Sequence, residues 1–223
     1  MAELADAEDL KSSGAILESS SLSPGTSQEM GMAWLIVVLG YFLGCIPTGY
    51  IVGRVLRGVD IRQIGDGNTG AANVFHQIGP KAGVVVGIVD ATKGALSVLI
   101  AQAAGVSEVV VMLSGAAAVV GHNWPIFLHF RGGRGESTAI GVLSTLLTQP
   151  MAIVAVPTIA TLVIKKNVIL ASAVLFVPLS LLAWLFGWGP PLIIYSIGLP
   201  CLVGFTHFLR TRGEPDATKT RNA

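Results

Sequence analysis

From Met32 onward the chain is a succession of long apolar runs separated by short polar breaks, the first reading "MAWLIVVLGYFLGCIPTGYIVG" over residues 32–53. About 20 apolar residues are enough for a helix to cross the hydrocarbon core of a bilayer. Of the 223 residues, 52% are apolar and 12% charged, about half the charged share of a soluble domain. The fold class this predicts is all-α: a polytopic membrane protein of about seven transmembrane helices. Spans fall near 32–53, 82–104, 109–128, 137–148, 151–164, 168–186 and 191–208. The fourth and fifth are short, with only "LLTQPMAI" between them. One helix kinked at Pro150, giving six spans, is the competing reading.

The basic residues separate the two counts. With seven spans and the N-terminus outside, the inside segments are 54–81, 129–136, 165–167 and the C-terminal tail. They hold Arg54, Arg57, Arg62, Lys81, Arg131, Arg134, Lys165, Lys166, Arg210, Arg212, Lys219 and Arg221. That leaves Lys11 outside and Lys93 within a span. Six spans would put Lys165, Lys166 and the basic tail outside, so the positive-inside rule favours seven, with the C-terminus cytoplasmic. Residues 1–29 carry six acids and one base and are rich in serine. They have no basic start and no apolar core, which predicts a disordered external tail rather than a cleavable signal peptide. The membrane domain then covers 30–210 and a cytoplasmic tail 211–223. Cys45 and Cys201 both fall in apolar runs, which implies packing and no disulfide framework.

Two glycine-rich loops face the cytoplasm in this topology. The first, "RQIGDGNTGAAN" (62–73), spaces Gly65, Gly67 and Gly70 as G-x-G-x-x-G. As a dinucleotide fingerprint that pattern needs a preceding strand and a following helix in a βαβ unit, and here apolar membrane runs flank it. Closely spaced glycines still let backbone N–H groups approach an anion. The second loop, "GHNWPIFLHFRGGRGEST" (121–138), sets Arg131 and Arg134 among Gly132, Gly133 and Gly135. Guanidinium forks on a flexible backbone suit phosphate oxygens. The alternative is a pair of ordinary topology-setting positives, which fits Arg131 better than Arg134.

Other chemistries find little support. No Asp follows His76, His122, His129 or His207 at the His-x4-Asp acyltransferase spacing, and no G-x-S-x-G elbow occurs. No cluster has metal-ligand spacing, and His129 reads as an interfacial residue. Asp90 and Lys93 lie three residues apart within a span, where ionisable groups face the protein interior or a water-filled cavity. A structural ion pair and a substrate contact fit them equally well.

The stretches "GVDIRQIGDGNTGAANVFHQIGPKAGVVVGIVDATKGALSVLIA" and "GHNWPIFLHFRGGRGESTAIGVL" resemble the first two motif regions of the bacterial acyl-phosphate:glycerol-3-phosphate acyltransferases. The resemblance covers about residues 35–210. It implies seven membrane helices in a multi-pass protein of the bacterial inner (cell) membrane, with the N-terminus outside and the active site facing the cytoplasm. It also implies acyl transfer from acyl phosphate to glycerol 3-phosphate, giving lysophosphatidic acid, with no metal or other cofactor and no nucleic-acid partner. Both substrates carry phosphates and the donor is a mixed anhydride, so positioning and charge neutralisation would supply most of the catalysis.

Carried onto this chain, the resemblance implies phosphate or substrate contacts at Gly65, Asp66, Gly67, Asn68, Gly70, Asn73, His76, His122, Gly132, Gly133, Arg134 and Gly135, and catalytic roles for His207 and Ser172. Gly121 and Pro125 match as well. Four positions depart from the family pattern. Asp66 replaces a usual Ser, His76 an Arg, Ile169 in "ILAS" the first Ser of a third motif, and Arg210 an Asn; Arg134 stands for a usual Lys. A carboxylate at 66 repels phosphate unless it is protonated or paired, for example with Arg62 or Arg210. A lipid-phosphate-binding paralogue without turnover and a small transporter are the alternatives from other classes.

Overall fold

The computed structural model describes residues 27–211, and the expectations for residues 1–26 and 212–223 lie outside the described residues. Two compact units divide the chain, residues 1–34 and 35–223. Of the first unit the described part is helical and exposes Met30, Met32 and Trp34. The ten α-helices among the described residues are α1 (Ser27–Gly44), α2 (Thr48–Arg57), α3 (Ala71–Gln77), α4 (Pro80–Ala103), α5 (Glu108–Asn123), α6 (Glu136–Leu146), α7 (Thr148–Lys165), α8 (Val168–Phe176), α9 (Leu179–Leu185) and α10 (Pro190–Thr211). Among the described residues six stretches are long and apolar enough to cross a membrane: Ser27–Arg57, Pro80–Ala103, Glu108–Leu128, Thr148–Lys165, Val168–Leu185 and Pro190–Thr211.

Several boundaries differ from the hydropathy reading, each for a local reason. The first run is not one helix over 32–53: it stops at Gly44 and resumes at Thr48. Pro47 lacks an N–H and disfavours helical geometry in the residue before it. The resumed helix α2 is amphipathic, with Ile51, Val55 and Leu56 exposed on a helix that also carries Arg54 and Arg57, and it ends on Gly58 in the left-handed region at φ 68°. The span near 168–186 is likewise split, at Val177–Pro178. Helix α3 lies inside what hydropathy reads as a loop. Cys201, expected to pack, is exposed on α10, whereas Cys45 is buried.

The break between the fourth and fifth apolar runs lies at Leu147, with φ −122° and ψ 53°, and Pro150 sits harmlessly in the first turn of α7. A continuous helix from Glu136 to Lys165 would separate its ends by ~44 Å. Instead the Ser172 hydroxyl, seven residues beyond Lys165, lies within hydrogen-bond reach of the Glu136 carboxylate. The chain therefore doubles back at Leu147. Helix α6 has 11 residues, about 16 Å of rise, against a hydrocarbon core of about 30 Å.

Side-chain placement fits a lipid solvent. Val156, Ile164 and Val177 are each more than 70% exposed, which water would penalise over so large a surface. The main core of the second unit gathers α4–α10 around Val98, Leu143, Leu147 and Leu179. Lipid gives apolar side chains no reason to leave it, so helices associate where small residues let backbones approach. Helices α4 and α6 meet in this way. A Cβ on Gly94 would overlap the Thr138 carbonyl, and one on Gly141 the Ala91 carbonyl. A second, smaller cluster of Ile61, Val74, Ile78 and Val86 lies under the first glycine-rich loop.

Gly141→Leu should therefore force α4 and α6 apart and cost about 1–3 kcal/mol, the usual cost of overpacking. A Cβ on Gly204 of α10 would meet nothing within 4 Å, so Gly204→Ala should be neutral. Melting temperatures in detergent would show this, and equal behaviour of the two variants would contradict it.

Candidate active site

The first loop is built around one buried amide. The Asn73 side-chain nitrogen lies 3.1 Å from the Ile61 carbonyl, 3.1 Å from Ile64 and 2.8 Å from Asn68. Its oxygen accepts from the Asp66 N–H at 3.3 Å. Asx turns continue the loop: Asn68 N–H donates to Asp66 Oδ1 at 3.2 Å and Gly70 N–H to Asn68 Oδ1 at 3.1 Å. Gly65 and Gly67 have φ of 62° and 67°, a conformation that costs a residue with a side chain, and a Cβ on Gly65 would also overlap the Asn73 amide. Asn68 and Asn73 are thus buried braces of the loop, Asn73 through both ends of its amide and Asn68 through its oxygen.

Before the loop, Asp60 caps a 3₁₀ turn (Ile61–Gln63) and grips Arg62 with both carboxylate oxygens, at 3.0 and 2.7 Å. The hydrogen bond from Arg62 holds the Asp60 carboxyl below the usual carboxylate range, and Asp60 in turn raises Arg62. The Tyr50 ring lies 5.1 Å from the Arg62 guanidinium and 5.3 Å from that of Arg54, a cation–π arrangement.

The second loop folds back on the end of α5. Gly132 N–H donates to the Asn123 carbonyl at 3.2 Å and Gly133 N–H to the His122 carbonyl at 3.0 Å. A Cβ on Gly133 would overlap the His122 imidazole, so this close return requires glycine. Gly135, with φ 83°, turns the chain into α6. Two contacts tie the loops together: Arg62 donates to the Leu128 carbonyl at 3.3 Å, and Arg134 Nη2 pairs with Asp66 Oδ2 at 3.1 Å. Asp66 does not pair with Arg62 or Arg210. The Asp60 clamp engages Arg62, and Arg210 donates to the Asn123 carbonyl at 2.7 Å. Arg131 is exposed.

Helix α10 joins this end through Asn123 as well, whose amide donates to Thr206 Oγ1 at 3.0 Å. His207 follows Thr206 and is half-buried. Ser172 reaches Glu136 as described and the Val168 carbonyl at 2.8 Å. Below the loops lies a buried ionic cluster. Lys93 Nζ is 2.9 Å from Asp90 Oδ1 and donates to the Ile46 carbonyl at 3.0 Å, while His122 Nδ1 is 3.6 Å from Asp90. The Asp90–Lys93 pair is therefore an ion pair that links α4 to the α1–α2 break and to His122. His76 stands apart: it is exposed, and its ring lies edge-on to Phe75 at 5.5 Å.

Several members of this end escaped the sequence reading, among them Asp60, Tyr50, Thr206, Glu136 and Asn123. Glu136 carries a weak signal, an acid in the first turn of a helix. Asn123 carries a better one, an amide closing an apolar run where a buried polar group needs partners.

The model of the glycerol-3-phosphate acyltransferases matches residues 34–212. The chain belongs to this family. Glycerol-3-phosphate acyltransferase 4 of Dehalococcoides mccartyi is 47% identical over 181 residues, 81% of this chain and 98% of the relative. The crystal structure of PlsY, an integral membrane glycerol 3-phosphate acyltransferase, in its glycerol 3-phosphate form is similar with a TM-score of 0.73 and 31% identity, over 81% of this chain and 90% of that one. Its lysophosphatidic acid form gives 0.71 at 31% identity, over 79% and 88%. Both glycine-rich loops of this acyltransferase fall within the matched residues.

Asn73→Ala should leave buried carbonyls of the first loop unsatisfied and cost about 1–3 kcal/mol. A drop in melting temperature together with lost acyl transfer is expected. An unchanged melting temperature would remove Asn73 from its bracing role.

Proposed function

We propose that the acyl donor is an acyl phosphate, and that it meets glycerol 3-phosphate at the cytoplasmic face of the bacterial inner membrane. The reaction itself is the family's: acyl transfer to glycerol 3-phosphate, giving lysophosphatidic acid. The observation that carries the proposal is the contact between Arg134 and Asp66, because it brings the two glycine-rich loops together at one end of the helices. A donor and an acceptor that both carry phosphate need such paired anion sites, and a lipid-soluble acyl tail needs them beside an apolar surface. In this reading Arg134 and those N–H groups of the two loops that no carbonyl or side-chain amide takes up bind phosphate, with Asn68, Asn73 and His122 holding the loops in shape. Ser172 and His207 act at the reacting groups, and Arg131 sets topology. His76, exposed and apart, would meet a substrate phosphate only at the rim.

An acyl phosphate places a good leaving group on the carbonyl, so the glycerol hydroxyl can attack without a covalent enzyme intermediate. Positioning and neutralisation of phosphate charge then do most of the catalysis. With acyl phosphate and glycerol 3-phosphate, the purified chain should form lysophosphatidic acid, and with acyl coenzyme A it should not. Product from the thioester alone would overturn the proposed donor.

The proposed topology has seven membrane segments, N-terminus outside and C-terminus inside, counting α6 and α7 as separate segments. The charge asymmetry supports it, as does the reversal of the chain at Leu147. In a background lacking Cys45 and Cys201, single cysteines at Gln28, His129 and Asn167 test it. Only the one at 28 should react with an impermeant reagent from outside. Outside labelling at 167 would leave six crossings.

A further inference from the structure

The Arg134–Asp66 pair is poorly matched for a permanent ion pair. A guanidinium and a carboxylate bind best through two parallel N–H···O bonds. Here one contact is made, Nη2 to Oδ2 at 3.1 Å. The other carboxylate oxygen, Oδ1, is held by the Asn68 N–H at 3.2 Å. Arg134 Nε is buried and has no hydrogen-bond partner. So one edge of the fork is left unfilled while Asp66 is shared between Arg134 and the loop backbone. Asp60 shows the contrast, gripping Arg62 with both oxygens.

We propose that Asp66 is a specificity-determining residue. Its carboxylate stands on Arg134 and on the Asn68 N–H where a substrate phosphate oxygen would bind, and the phosphate binds by displacing it. This rests on the reading of Arg134 as a phosphate-binding residue. A phosphate group brings three oxygens and up to two charges, and it could satisfy both the open edge of Arg134 and the Asn68 N–H that one carboxylate must divide. The pair can be exchanged because it is reachable: the Asp66 side chain is 33% exposed and that of Arg134 19%. Pairs near the surface contribute little, so displacement costs little. A phosphomonoester or acyl phosphate dianion overcomes the resident carboxylate, whereas a singly charged anion gains far less from doing so. The internal acid thus filters for doubly charged phosphate.

The shared chemistry is a phosphate dianion from either substrate, and the test separates the two. Asp66→Asn keeps the oxygen that accepts from the Asn68 N–H and removes the charge; Asp66→Ser removes the carboxylate altogether. In the purified full chain, both should lower the KM of whichever substrate Arg134 holds by roughly two- to five-fold, the span of a partly exposed pair. The change in kcat should be smaller than the change in KM. Inorganic phosphate should inhibit at correspondingly lower concentration and raise the melting temperature of both variants more than that of the parent chain, a comparison that needs no turnover. Arg134→Ala should raise the same KM, and in that background Asp66→Asn should no longer lower it. If Arg134→Ala raises KM while both Asp66 variants leave KM and phosphate inhibition unchanged or weaker, the displacement is overturned and the role of Arg134 stands. If Arg134→Ala leaves both KM values unchanged, the phosphate reading of Arg134 itself is overturned.

Discussion

Lipid offers no hydrogen bonds to a backbone, so every stretch that leaves helical geometry near the membrane has to find its partners within the protein. That constraint accounts for most of what holds this molecule's loops. Between α2 and α3 the chain leaves α-helical geometry for more than a dozen residues, with only the 3₁₀ turn Ile61–Gln63 as regular structure. Asn73 gathers three of its carbonyls at one amide, and Asp60, Asp66 and Asn68 take up N–H groups. Between α5 and α6 the last carbonyls of α5, which a helix leaves unsatisfied, receive the Gly132 and Gly133 N–H groups and the Arg210 guanidinium. The two loops are then joined by Arg62 at the Leu128 carbonyl and by Arg134 at Asp66.

This division of labour changes how glycine-rich membrane motifs are read. Polar side chains in such a loop look like ligands for a solute, yet many face inward. Asn68, Asn73, His122 and Asn123 are all buried. The groups left to meet a phosphate are then the arginine between the loops and the few backbone N–H groups that no carbonyl or side-chain amide of the protein takes up. Anion binding by preorganised backbone needs a rigid frame, and the buried amides supply it.

The helical class and the positions of most apolar segments were legible because hydropathy is a property of each segment by itself. Their ends were less so. Pro47 and Pro178 divide runs that hydropathy reads as continuous, and α3 is too short and too mixed to register. The reversal at Leu147 leaves almost no composition signal, since both sides of it are apolar. Within the site, the glycines and Arg134 could be found from spacing and charge. The partner of Asp66 could not, because residues 66 and 134 are brought together only by the fold of two separate loops. Choosing Arg62 or Arg210 followed from charge alone, and charge does not record that Asp60 and the Asn123 carbonyl already hold those two.

The contact from Lys93 to the Ile46 carbonyl joins a helix break to an ion pair. Near Ile46 the α1 helix has ended and Pro47 supplies no N–H, so the Ile46 carbonyl is met from outside α1, by the Thr48 N–H at 3.0 Å and by Lys93. The ammonium group of Lys93 serves that carbonyl and the Asp90 carboxylate at once. A neutral side chain at 93 would leave the Asp90 carboxylate with only His122, 3.6 Å away, and a helix unbroken at 47 would remove one of the reasons for a buried cation. Positions 90 and 93 are therefore bound to each other in charge: a neutral residue at either leaves an ionised group buried at the other, so a tolerated change at one calls for a matching change at its mate.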